Sequence, residues 1–131
     1  MRVEITEESG SDLIDYQVPI EIDPKIFNYN KTATGGADIR FAIADEMTPV
    51  DYWIENWNTS GASTIWINLS LSASSTSTFF MYYGNASAGS AGDGQATFED
   101  WGFDDFEGYS VGDLVTVGAW TKHPSLSLIH I

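Results

Sequence analysis

Cysteine is absent from the 131 residues. That excludes a disulfide scaffold, a thiolate metal site and a cysteine nucleophile together, and it leaves the compartment open. Positive charge is scarce as well: five Lys and Arg stand against nineteen Asp and Glu, a formal net charge of -14. A surface that acidic repels phosphate backbones and anionic lipid, so nucleic acid is not an expected partner. The only histidines are His123 and His130, near the end of the chain, so a histidine-based triad within the main body is unavailable. No run approaches the ~20 apolar residues of a membrane span. Met1-Arg2-Val3 leads straight into a strand pattern without a signal peptide, so no membrane insertion is expected of this chain.

What is present points to one packed domain. Hydrophobic residues make up 43% and aromatics 14%, enough for a core despite the charge. Two stretches organise the chain, Gly35-Gly36-Ala37-Asp38-Ile39-Arg40-Phe41 and Asp51-Tyr52-Trp53-Ile54-Glu55-Asn56-Trp57-Asn58. In the first, Ile39, Phe41 and Ile43 alternate with Arg40 and Ala42. In the second, Tyr52 and Ile54 alternate with Trp53 and Glu55. The polar linker Ala44–Pro49 between them predicts an antiparallel pair that sets Arg40 against Glu55.

Other alternating runs flank this centre. Val3–Thr6 reads as a first strand at an edge. Tyr16–Ile22 is a second, with Val18, Ile20 and Ile22 inward and Pro19 placing it at an edge or bulge. Thr64–Leu71 carries Ile65, Ile67, Leu69 and Leu71 on one face, with Thr64, Trp66, Asn68 and Ser70 on the other. Thr78–Tyr83 is aromatic on both faces and stops at Gly84-Asn85. Closely spaced strands without a long helical period predict an all-β fold, an antiparallel sandwich of jelly-roll-like form. The expected organisation is a main domain over 1–106, the truncated opening of a second β domain over 107–124, and a non-native tail over 125–131.

Several motifs in order carry a resemblance: "GGADIRF", "TPVDYWIENWN", "TSTFFMYYGNASA" and "ATFEDWGFDDFEG", with "SGSDLIDYQVPIEID" ahead of them. Together they resemble domain-of-unknown-function family 2341 over roughly residues 1–106. Such domains sit in large, exported, multi-domain bacterial and archaeal proteins, so the resemblance implies an extracellular or cell-surface setting. They often precede a concanavalin-like lectin or glucanase-type domain, which "FDDFEGYSVGDLVTVGAW" resembles in its opening strand. The family carries no established catalytic residues, and none is transferred.

Four constellations remain to be weighed. Asp104, Asp105 and Glu107 are acids close in sequence, read as a solvated or cation-binding turn rather than the paired carboxylates of a glycosidase. An enzyme is therefore not expected. Arg40 with Glu55 or Asp38 is read as a structural ion pair between strands in preference to an anion site. Trp53, Trp57, Trp66 and Tyr82, with Asn68 beside them, are the ligand-binding candidates. An exposed ring stacks on the C–H face of a sugar while amides bond its hydroxyls; the competing reading has these rings covered by a loop or a neighbouring domain. No cofactor is expected. Ca²⁺ held through Asp93, Asp104, Asp105 and Glu107 is the one metal considered, and their spacing matches no Ca²⁺ loop. Two functions follow: an accessory module that binds polysaccharide through surface aromatics, or a structural domain that docks another domain of the same protein.

Overall fold

A computed structural model describes residues 1–98. The strands are β1 (Arg2–Thr6), β2 (Leu13–Ile22), β3 (Arg40–Ile43), β4 (Pro49–Val50), β5 (Tyr52–Asn56), β6 (Ser63–Leu71) and β7 (Thr76–Tyr82), followed by one helical turn, α1 (Gly94–Thr97). They form two antiparallel sheets, one in the order β1-β7-β3-β4 and the other β2-β6-β5. Both sheets contribute to a single core, with Phe41, Val50, Phe79 and Met81 from the first meeting Ile22, Tyr52, Ile65, Ile67, Leu69 and Leu71 from the second. The described chain is an all-β sandwich, as the alternation predicts.

The central strand of the smaller sheet shows why. Ile65, Ile67, Leu69 and Leu71 are buried on one parity of β6 while Thr64, Trp66, Asn68 and Ser70 take the other. Each buried side chain of that size contributes about 1.5–3 kcal/mol of transfer free energy, so slipping the strand by one residue would expose the whole set. β2 lies at an edge, as Pro19 requires, and carries an irregularity between Leu13 and Tyr16, where Asp15 has φ 48°. β1 is likewise an edge strand, registered along β7 from Arg2 opposite Phe80 to Thr6 opposite Thr76.

The expected pairing of the two organising stretches is corrected. β3 turns back onto β4 for only two residues, Phe41 opposite Val50 and Ala42 opposite Pro49. The turn is held by Asp45, whose Oδ1 accepts from the Met47 and Thr48 amides at 2.9 and 2.8 Å. One residue after β4, the Asp51 carbonyl accepts from the Asn68 amide at 2.9 Å. The chain has by then crossed to the other sheet, and β5 pairs with β6. Arg40 and Glu55 therefore lie in different sheets. Ile43, on the same parity as the buried Ile39 and Phe41, is 39% exposed because it closes the turn.

Two acidic side chains fasten the β1–β2 loop and the β6–β7 connection. Glu7 is buried, and its carboxylate accepts from the amides of Ser9, Gly10 and Ser74. Asp12 accepts from the Ala73 amide at 2.8 Å. The Ser/Thr-rich connection between β6 and β7 is thereby held by side chains from the β1–β2 loop.

Candidate functional site

The aromatic candidates fall in three places. On the outer face of the smaller sheet, Pro19, Trp66 and Trp53 form one row across β2, β6 and β5, with Gln17 opposite Asn68 in the neighbouring row. Trp66 is fixed by its indole N–H, which donates to Glu55 Oε2 at 2.8 Å. Phe98 completes the group, its ring centroid 6.0 Å from Trp53 and 5.6 Å from Trp66, inclined at 78° and 60°. Such edge and tilted contacts add about 0.5–1.5 kcal/mol each beyond area burial.

Phe98 reaches that row because of the turn before it. The Asp93 amide donates to the Tyr52 carbonyl at 2.8 Å, which ties the incoming chain to β5. Asp93 then caps α1, accepting from the Ala96 amide at 3.0 Å. Among the described residues, no group of three or more His, Cys, Asp or Glu is placed to hold a metal ion. Asp104, Asp105, Glu107, His123, His130, the expected second domain and the tail lie outside the described residues.

Trp57 belongs to a different neighbourhood. Its ring lies 5.1 Å from Tyr29 at 80° and 6.4 Å from Phe27 at 84°, and Phe27 in turn meets Tyr83 at 4.9 Å. Gly36, at φ +72°, lies against it so closely that a Cβ there would sit 2.7 Å from Trp57 Cζ3. Trp57 is thus part of an aromatic end-cluster. Tyr82 is on the outer face of the larger sheet, 41% exposed, with its hydroxyl donating to Glu46 at 3.0 Å. The five ligand-binding candidates do not converge on one platform.

The expected ion pair of Arg40 with Glu55 or Asp38 is also corrected. The only ion pair between described residues is Arg2–Glu4, 2.7 Å apart and exposed. Arg40 instead donates to carbonyls, from Nη1 to Ala37 and Ile39 at 3.0 and 2.6 Å and from Nη2 to Gly89 at 2.7 Å. Its Nη1 also meets the Tyr52 hydroxyl at 3.3 Å. That hydroxyl donates to the Ile39 carbonyl at 2.6 Å, so a side chain from β5 bridges to the chain entering β3. Burial pushes the Tyr52 hydroxyl above its ordinary value, against the opposing pull of the Arg40 guanidinium.

Asp38 is 3% exposed and accepts three amides: Ala33 at 2.8 Å, Gly84 at 2.6 Å and Asn85 at 3.0 Å. Burial pushes its carboxyl up, but these amides together outweigh burial and leave it below the usual aspartate value. Asp38 and Arg40 therefore fasten the small-residue loop after β7, Asp38 at its start and Arg40 at Gly89. The signal in the sequence was the loop itself: Gly84-Asn85-Ala86-Ser87-Ala88-Gly89-Ser90-Ala91-Gly92 has no large side chain of its own to pack, and side chains from outside it supply the anchors at Gly84, Asn85 and Gly89.

The placements define a β-sandwich module whose polar side chains chiefly hold loops and whose aromatics divide between an outer face, an end-cluster and the opposite sheet. The chain belongs to the family described as Domain of unknown function (DUF2341), whose model matches residues 35–123, more than half of its length. No curated protein and no solved structure matches it. β1 and β2 precede the matched stretch, yet each pairs along its length with a strand inside it.

Proposed function

We propose that this chain is a non-catalytic accessory module of an exported or cell-surface multi-domain protein, acting as a structural interaction domain. Its contact surface is the outer aromatic face of the β2-β6-β5 sheet, and the occupant is the protein's own continuation after Phe98. The observation that carries this is Phe98 itself, set against both Trp53 and Trp66. The family match supports it, since it runs on to residue 123 and so includes the stretch after Phe98. The lectin-like resemblance of "FDDFEGYSVGDLVTVGAW" suggests what kind of domain follows. The strongly acidic composition suits a chain that stays soluble outside the cell.

The test is acrylamide quenching of tryptophan emission in the full chain, comparing wild type with Phe98→Ala and, as a control on the opposite sheet, Tyr82→Ala. Docking on this face predicts stronger quenching in Phe98→Ala alone, compared at a temperature where every variant is fully folded. Unchanged quenching in Phe98→Ala would refute it. Protection of Trp66 by an added polysaccharide would replace docking by sugar binding on this face.

A further inference from the structure

A cleft of about 360 Å³ lies at the end of β5, lined by Gly35, Trp53, Ile54, Trp57, Ser90 and Gly92. We propose that it is a binding site for one neutral sugar ring of a glycan. Its volume is within the range of small-molecule sites, and three observations point to this ligand.

The first is the lining. Two indoles and Ile54 offer apolar surface for the C–H face of a pyranose, and the Ser90 hydroxyl with the neighbouring backbone offers hydrogen bonds to its rim. No charged side chain among the described residues lines the cleft. A formal net charge of -14 repels acidic sugars, whereas a neutral ring carries no such penalty.

The second is that the tryptophan wall is already fixed. Trp57 is held edge-on by Tyr29 and Phe27 and pressed by Gly36. A ring so held gives up little rotamer entropy when a ligand stacks on it.

The third is that the opposite wall, Ser90 to Gly92, is also fixed although it consists of small residues. Arg40 holds the Gly89 carbonyl, Asp38 holds the Gly84 and Asn85 amides, and the Asp93 amide holds the Tyr52 carbonyl. The loop is tied on both sides of the cleft. Gly35 leaves further room: a Cβ built on it meets no atom within 4 Å. This site is separate from the docking proposed above, although Trp53 borders both.

The test is a titration of the full chain, followed by intrinsic fluorescence and calorimetry. The probes are neutral soluble polymers (xylan, mixed-linkage β-glucan, galactomannan and laminarin) and two acidic ones (alginate and hyaluronan). Saturable binding of at least one neutral polymer is expected, with none to the acidic pair. Ser90→Tyr fills the cleft from an exposed loop position and is expected to weaken that binding at least about tenfold, with the melting temperature unchanged. Tyr82→Ala, on the opposite sheet and outside the cleft, is expected to bind like wild type. A flat response to every neutral polymer, equal binding by Ser90→Tyr, or equally tight binding of the acidic polymers would each overturn the proposal. Phe98→Ala reads the docking surface independently, so either proposal can fail alone.

Discussion

Asp38→Ala is the substitution on which the structure commits itself most. The Asp38 carboxylate is buried and accepts three backbone amides, those of Ala33, Gly84 and Asn85. Truncation leaves those donors without an acceptor. Gly84 and Asn85 are themselves exposed and can turn partly to water, so the loss is smaller than three full desolvation penalties. A buried group left unsatisfied costs about 1–3 kcal/mol, and the sum here comes to about 2–4 kcal/mol. For a domain of this size that lowers the melting temperature by about 10–25 °C. Asp38→Asn should cost nearly as much, because its amide nitrogen turns a donor toward donors. The assay is urea unfolding followed by tryptophan emission, with hydrogen exchange on Gly84–Gly92 to show where the structure loosens. The sign with pH follows from the carboxyl sitting below its ordinary value of 3.8 in the folded chain. Its stabilising effect is present above that value and fades as pH falls through the folded pKa, so wild type and Asp38→Asn converge in acid. Asp38→Ala unfolding within about 0.5 kcal/mol of wild type would refute the reasoning. So would Glu55→Gln costing as much as Asp38→Ala, since that is the outcome an Arg40–Glu55 pair requires.

Gly36→Ala and Gly35→Ala both place a side chain at positive φ, +72° and +67°, but only Gly36 presses on Trp57. Gly35→Ala should cost about 1–2 kcal/mol of backbone strain, and Gly36→Ala about 1–3 kcal/mol more from the clash with the ring; equal melting temperatures would remove the proposed contact. Glu7, brought down from 4.5 to about 2 by the Ser9 hydroxyl and the Ser74 amide, stabilises the fold above its ordinary pKa and loses that contribution between those two values. Acid titration of Glu7→Gln should accordingly show a less stable protein at neutral pH whose gap from wild type closes across that window.

The outline of the fold was legible because alternation reports burial directly. The parity of Ile65, Ile67, Leu69 and Leu71 is the same in the sequence and in the sandwich. Pro19 announced an edge strand for the equally local reason that it lacks an N–H. The polar turn over Ala44–Pro49 was legible too. Pairing was not. A polar linker between two strand patterns favours a hairpin, yet after Val50 the chain crosses to the other sheet, and nothing in Pro49-Val50-Asp51-Tyr52 states which neighbour Tyr52 will find.

Composition and pattern by themselves determined the class, the absence of cysteine chemistry, the acidic surface and the strand faces, since each depends on residue type and local spacing. The tertiary structure alone decided the partners. Asp38 looked like half of an ion pair and is an acceptor for loop amides; Arg40 holds carbonyls; Trp57 packs edge-on against Tyr29 and Phe27; Phe98 arrived over Trp53 and Trp66. The deciding contacts join residues far apart in the chain, Asp38 to Gly84 and Asn85, Arg40 to Gly89, Trp57 to Tyr29 and Phe98 to Trp53 and Trp66, and long-range contact is settled by which surfaces close packing brings together, a property of the whole chain that no local window contains.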